Sequence, residues 1–477
     1  MCGPARQSEE ASMEHMTEAR ARRNVVRIAV IAGVGGLLFG YDTGIISGAL
    51  LFIRDDFDLS AFQQGVVTSS LLVGAVFGSL YGGWLSDRYG RRSVVLLAAV
   101  IFGVGALMAG LAPNYPVLVA ARVVLGLGVG TASLLVPLYI AELAPPKARG
   151  ALVSLTSLMT TTGILLSYMV AYGFADMAGW RWMLGIGLIP SVVLGVGMLV
   201  LPETPRWLLI RGRDSEARDV LRHTRQGEAV EPEMREIAAV AREETGGFRD
   251  LFHRNLRPLL VVGAGLAVMQ QITGVNTVIY FAPTILEEAG FGAASAILAT
   301  FGVGAANVLM TVVAILVVDR LGRRRLLLWG TLGMAGSLFF LGLAFGTDAP
   351  GFLLVALLMV YISVFAVSLG PVVWLLLAEI FPLRVRGAAM SFGSALLWAA
   401  NFVVALVFLP MAEAITASGA FWVYTAICVL SFLFVLFKVP ETKGRTLEEI
   451  EAELRGPRTR GRFGPASPRR ESTSENP

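Results

Sequence analysis

Twelve long apolar stretches leave this chain few folds to choose from: 26–50, 62–85, 93–112, 116–141, 150–173, 182–201, 257–283, 295–318, 325–346, 352–379, 387–410 and 419–437. Each approaches the roughly 20 apolar residues that a helix needs to cross a bilayer core. In lipid, every backbone amide and carbonyl must be satisfied inside the protein, so only helices and closed barrels can span it. The runs are continuous and lack the alternating segments of about ten residues that mark barrel strands. Helices follow. Only 16% of the residues are charged, against about 25% in a soluble domain. The lipid bilayer is therefore the first partner that the sequence implies.

The placement of charge gives the orientation. Arg20, Arg22 and Arg23 precede the first stretch; Arg88, Arg91 and Arg92 follow the second, and Lys147 and Arg149 the fourth. Arg320, Arg323, Arg324 and Arg325 follow the eighth, and Arg384 and Arg386 the tenth. The alternate loops are poor in cations: 54–61 carries Asp55, Asp56 and Asp58 against Arg54 alone. Positive loops stay cytoplasmic, which places both termini inside and requires an even number of spans. The first 25 residues lack an apolar core before a cleavage site, so the first span is expected to remain as an anchor.

Cys2 and Cys428 are the only cysteines, and His15, His223 and His253 all fall in expected cytoplasmic segments. They offer neither a disulfide framework nor a metal site, nor a histidine proton relay inside the membrane. No cofactor, metal or nucleic-acid partner is expected.

The chain repeats itself. GGWLSDRYGRR at 82–92 matches AILVVDRLGRR at 314–324, ELAPPKARG at 142–150 matches EIFPLRVRG at 379–387, and PETPRW at 202–207 matches PETKGR at 440–445. A nearly constant offset of about half the chain is the mark of duplication. The reading is an N-terminal tail (1–24), a six-helix bundle (25–202), a linker (203–256), a second six-helix bundle (257–438) and a C-terminal tail (439–477). In the linker, DSEARDVLRHTR and EPEMREIAAVAREE read as short amphipathic helices. Residues 1–20 and 456–477 read as disordered tails. Two six-helix bundles with a path between them form a transporter architecture. Each half has its own core, so the chain is expected to work as a monomer.

Gly83, Asp87, Arg88, Gly90, Arg91 and Arg92 form a G-x-x-x-D-R-x-G-R-R pattern that resembles the major facilitator superfamily. PETPRWL at 202–208, QQITGVN at 270–276, PETKG at 440–444, GYDTGIISGAL at 40–50 and GPVVWLLLAEIFP around Trp374 resemble its sugar porter branch. The resemblance covers roughly residues 25–450. It implies an all-α integral membrane protein with 12 transmembrane helices in two pseudo-symmetric bundles, moving a sugar or polyol by alternating access.

Asp42 and Arg122 are the two charges set well inside their spans. An ionised side chain at mid-membrane costs at least ~2.5–3.5 kcal/mol. At about 1.5 Å per residue they sit roughly 12 and 9 Å from the outer ends of spans 1 and 4, depths that let them meet. A permanent ion pair would pin the two spans together. A switchable pair would do more: arginine stays protonated, whereas aspartate can take a proton and release it. By resemblance, an acid at this position points to proton-coupled members of the family. A potential of 100 mV contributes about 2.3 kcal/mol per charge and one pH unit about 1.4 kcal/mol, enough for roughly several-hundred-fold accumulation of a neutral solute.

At the cytoplasmic rim, Asp87, Arg88, Arg91, Arg92, Glu142, Arg149 and Glu203 face Asp319, Arg320, Arg323, Arg324, Glu379, Arg386 and Glu441 of the other half. Acids contribute little to topology, so their repetition points to a salt-bridge latch on the inner gate. Surface ion pairs are worth about 0–1 kcal/mol each, and only a network would bias the cycle.

The solute set reads as Gln270, Gln271 and Asn276 on span 7, Asn307 on span 8, Trp374 on span 10, and Trp398 and Asn401 on span 11. Thr156 and Ser157 supply shorter hydroxyls from span 5. Amides pair with sugar hydroxyls and aromatic rings cover sugar C–H faces, while a buried amide left in lipid would be costly. The competing role for any one Asn is interhelical hydrogen bonding. Gln270 and Gln271 point about 100° apart on a helix, so one of them could serve a gate. Tyr280 is the candidate outer gate, and span 7 should kink at Gly274 and Pro283. By the resemblance, Ser157 stands near a usual Gln, Phe281 replaces a second Tyr, and Leu397 replaces a polar residue before Trp398. Each change removes or shortens a hydrogen-bonding group, which leaves the solute no narrower than a neutral monosaccharide or cyclic polyol.

The reading is an importer using a proton as coupling ion. Its rivals are a facilitative uniporter of the same fold and a sugar sensor. Lys147, Lys438 and Lys443 are the only lysines; this preference for arginine points to a high-GC bacterium and hence to a bacterial inner membrane. No nucleophile–base set or metal cluster suggests an enzyme.

Overall fold

The computed structural model describes residues 4–443 except 147, 226–229, 243–247, 255 and 348, and leaves out the side chains of 4–22, 240–242, 248, 249, 319, 383 and 384. The C-terminal tail read at 456–477 lies outside the described residues.

Among the described residues, eleven helices are long and apolar enough to cross a membrane. The last, Val385–Lys438, is two helices joined where Ile415 and Thr416 leave helical backbone geometry, Thr416 at φ 67°. The fold therefore has twelve spans. Spans 1–6 are Arg23–Asp56, Ala61–Tyr89, Arg91–Gly110, Tyr115–Leu143, Arg149–Ala175 and Trp180–Val200. Spans 7–10 are Arg257–Glu288, Ala293–Val318, Arg323–Gly346 and Gly351–Ile380; spans 11 and 12 lie on either side of 415–416. The first helix begins at Pro4, so residues read as a disordered tail continue span 1. Glu, Ala, Met and Arg, all strong helix formers, fill that stretch.

Local chemistry sets the helix ends. Span 2 opens on a capping box in which Ser60 and Gln63 each accept the other's backbone N–H, and Asn114 caps span 4 by accepting from Val117 N at 3.1 Å. Between spans 2 and 4, a methyl placed on Gly126 would run into the Leu71 carbonyl. The string at 126–130 is thus a close helix crossing. In the linker, Asp214–Thr224 and Val230–Arg242 form the two expected helices, joined by the shorter Pro205–Ile210 and Phe248–Leu251.

Span 7 breaks where Gly274 takes φ +92°, between helices Arg257–Ile272 and Val275–Glu288. Only there does it break; Pro283 stays inside the second helix. Span 10 breaks at Ser368 (φ −114°, ψ −93°).

The halves meet at the end far from the linker. Arg54 of span 1 reaches Glu287 of span 7 at 2.8 Å. Gly65 of span 2 packs so closely on the Leu406 carbonyl of span 11 that an added Cβ would lie 2.6 Å from it. Phe39 of span 1 meets Trp398 of span 11 edge-on, with ring centroids 5.4 Å apart. Toward the linker, every described ion pair joins residues of one half or of the linker itself. The far end is closed by contacts between halves that the linker end lacks among the described residues.

Candidate transport site

Asp42 and Arg122 meet. Arg122 Nη1 lies 3.0 Å from both carboxylate oxygens of Asp42, and Arg122 Nε donates to the Val67 carbonyl at 3.3 Å. Both side chains are almost wholly buried, at 3% and 1% exposure. The pair therefore ties spans 1, 2 and 4 in a dry interior, where a lone charge would be severely penalised.

In the C-terminal half, the amides form a chain between the two helix breaks. Asn276 donates to Gln271 Oε1, Gln271 Nε2 to Gln270 Oε1 at 3.5 Å, and Gln270 Nε2 to the Leu369 and Gly370 carbonyls at 2.9 and 3.2 Å. Leu369 and Gly370 open the helix that follows the break at Ser368, and Gln270 adds a side-chain donor to their carbonyls. Of the two glutamines, Gln270 is thus committed to backbone, while Gln271 and Asn276 bond to side chains.

Asn401 donates to the Tyr280 hydroxyl at 3.2 Å. The Asn401 Oδ1, Trp398 Nε1 and Thr156 Oγ1 atoms are buried without a partner among the described residues. Such atoms are suited to a hydroxylated ligand. Trp398 is 3% exposed and Trp374 36%, so the two indoles differ: one is walled in beside Phe39, the other is open. Asn307 is buried on span 8, where its carbonyl accepts the Thr311 hydroxyl. Ser157 is exposed beside Thr156. Tyr280 is buried and bonded within its own half.

The linker-end charges form two copies of one arrangement. Glu203 accepts the Arg91 and Arg92 backbone N–H groups at 3.0–3.2 Å, and Glu441 accepts that of Arg323 at 3.0 Å. Gly90 (φ +99°) and Gly322 (φ +87°) turn the chain beside these carboxylates. Arg91 bridges Asp87 at 2.8 Å and Glu142 at 3.3 Å; Arg323 bridges Glu379 at 3.0 Å, and Thr442 donates to the second Glu379 oxygen at 2.6 Å. Arg92 donates to the Met198 and Leu199 carbonyls, as Arg324 does to Leu436. Burial pushes the Glu203 carboxyl above the usual range, opposed by the N–H groups of Thr204, Arg92 and Arg91 and by the Arg91 charge.

Three arginines fall outside this network. Arg88 stacks on Trp84 and Tyr89, Arg149 is exposed without a described ion pair, and Arg386 donates to the Phe381 carbonyl. The Asp319 side chain lies outside the description.

Sequence reasoning missed Tyr168, Phe39 and the Arg54–Glu287 pair. Arg54 was visible only as the sole cation of an acidic loop, and nothing nearby in the chain indicates its partner.

A family model described as "Sugar (and other) transporter" matches residues 28–454. The chain belongs to this family. It is 49% identical to the putative metabolite transport protein YwtG of Bacillus subtilis (strain 168), over 88% of this chain and 93% of that one. The D-xylose transporter of Levilactobacillus brevis is 44% identical, over 88% of this chain and 94% of the relative. The xylose transporter XylE from E. coli, in a partially occluded inward-open conformation, superposes with a TM-score of 0.80 at 35% identity, covering 89% of this chain and 99% of that one. Another structure of XylE, described as a major facilitator superfamily proton:xylose symporter, gives 0.76 at 36% identity, covering 90% of this chain and 98% of that one. The present chain is thus a multi-pass membrane protein with the major facilitator fold, from a family of transporters.

Proposed function

We propose that this chain imports a neutral monosaccharide or cyclic polyol across a bacterial inner membrane by proton symport, with the linker and both termini cytoplasmic. The observation that carries the proposal is the buried Asp42–Arg122 pair. A proton arriving at Asp42 neutralises the carboxylate and releases Arg122, which changes the relative energies of the two access states. Gln271, Asn276, Asn401, Trp398 and Trp374 hold the solute from the C-terminal half and Thr156 from the N-terminal half, with Asn307 and Ser157 at its margin. Tyr280 stands between the solute and the ion pair. The far end, closed here through Arg54–Glu287 and Gly65–Leu406, is the periplasmic gate. The repeated charges at the linker end would come together when that end closes. The relatives described as handling xylose make pentoses and hexoses the first compounds to try.

The test is external pH in a weakly buffered suspension of de-energised cells expressing the chain, with glucose, xylose, galactose, arabinose and myo-inositol added in turn. Alkalinisation by one compound, absent in Asp42→Asn, is expected. Equilibration of labelled sugar with no pH change would make the chain a uniporter and Asp42 a structural ion-pair member.

A further inference from the structure

Pro283 lies within the helix Val275–Glu288, the far half of span 7. Proline has no N–H to give the carbonyl four residues earlier, and here that carbonyl belongs to Ile279. Left unpaired in a water-poor interior, it would cost several kcal/mol. A donor reaches it from the opposite half: the Tyr168 hydroxyl of span 5 donates to Ile279 O at 3.2 Å. Tyr168 is 1% exposed, and its ring lies against Gly304 of span 8, where an added Cβ would fall 2.9 Å from Cδ2. From the N-terminal half, this one side chain touches two C-terminal spans, and it bonds the residue before Tyr280.

Pro410 frees a second carbonyl in the same way, that of Leu406. Its neighbour across the seam is Gly65, which brings no side-chain donor. The Tyr168 bond is therefore the directional one.

We infer that Tyr168 is a positioning residue of the transport cycle. By completing the carbonyl that Pro283 leaves open, its hydroxyl holds the far half of span 7 against the N-terminal half and favours the state closed at the far end. When that end opens the bond breaks, and water entering the cleft takes the carbonyl over. The proposal rests on the alternating-access reading above.

Ile297 of span 8 is wholly buried at the same seam, near Gly48 of span 1. With Cys2→Ser and Cys428→Ser in place, Ile297→Cys becomes a reporter of far-end opening to a membrane-impermeant maleimide added to intact cells. Tyr168→Phe keeps the ring and should raise the labelling rate roughly fivefold, the effect of one lost buried hydrogen bond. Pro283→Ala returns an N–H to Ile279, so in that background Tyr168→Phe should change the rate by less than about twofold. An unchanged rate in Tyr168→Phe overturns the proposal. So does the same increase in both backgrounds, which would assign the effect to ring packing.

Uptake kinetics give a second readout that needs no proline variant. With Tyr168→Phe, KM and Vmax should fall together, because the outward-facing state gains population and its loaded form closes less readily; an unchanged KM overturns the proposal. Labelling is read without sugar and does not depend on the coupling ion. If sugar moves the labelling of Ile297→Cys but Tyr168→Phe does not, this proposal alone fails. If none of the five sugars moves it, the transport reading fails and this proposal falls with it.

Discussion

The two halves share a topology and a set of rim charges but differ in their interiors. The N-terminal half carries the buried ion pair on spans 1 and 4, and its helices cross at glycine contacts such as Gly126 on Leu71. The C-terminal half carries the amides, and two of its spans are broken, at Gly274 and Ser368. The difference has a physical reason. A charge pair away from water is tolerable only where its geometry is fixed and further hydrogen bonds complete it, and spans 1, 2 and 4, which frame it, are unbroken helices. A polyhydroxylated solute needs donors and acceptors at several angles, and broken helices with amides at the breaks provide them. Under the proposed function, the N-terminal half holds the proton switch and the C-terminal half most of the solute contacts.

The largest effect should come from breaking the N-terminal interior. Arg122→Leu leaves Asp42 buried without its cation and should cost about 3–5 kcal/mol, seen as loss of folded protein in detergent and of sugar accumulation. Asp42→Asn mimics the protonated acid, a state the proposed cycle already visits, so it should fold and still equilibrate sugar while losing proton movement and accumulation. Gly126→Val comes next, because the added side chain meets backbone; overpacking of this kind costs about 1–3 kcal/mol, read as a lowered melting temperature with the substrate preference intact.

In the C-terminal half, Asn401→Ala should leave folding nearly unchanged and raise KM by about tenfold, the scale of one well-placed hydrogen bond. If Asn401→Ala abolished proton movement and spared KM, the division of labour between the halves would be wrong. The smallest effect belongs to the seam. Arg54→Gln removes a partly exposed pair worth at most about 1 kcal/mol, so far-end labelling of Ile297→Cys should rise no more than about fivefold, and less in high salt.

Much of this was legible along the chain. The twelve spans follow from apolar length, the duplication from three repeated motifs, and the Asp42–Arg122 pair from depth counting, because in lipid each feature has few alternatives. The break at Gly274 was readable from a glycine beside polar residues. The break at Ser368 was not, since GPVVWLLLAEIFP reads as an ordinary apolar helix. Hence the role of Gln270, which donates to the carbonyls just after that break, was also hidden. Arg88, Arg149 and Arg386 looked equal to Arg91 and Arg323, but only the last two form described ion pairs, and charge composition does not distinguish them.

The solvent, the number of spans, the twofold plan and the one place where opposite charges lie at matching depth can all be read along the chain. Those properties depend on apolar length and on spacing along a helix of fixed rise. Only the tertiary structure decided which polar groups were already spoken for, which end of the path is closed, and that Tyr168 completes the carbonyl left open by Pro283. Each of these depends on the approach of two surfaces from different halves. A proline announces which carbonyl it frees, but the donor that answers is chosen by packing across the seam.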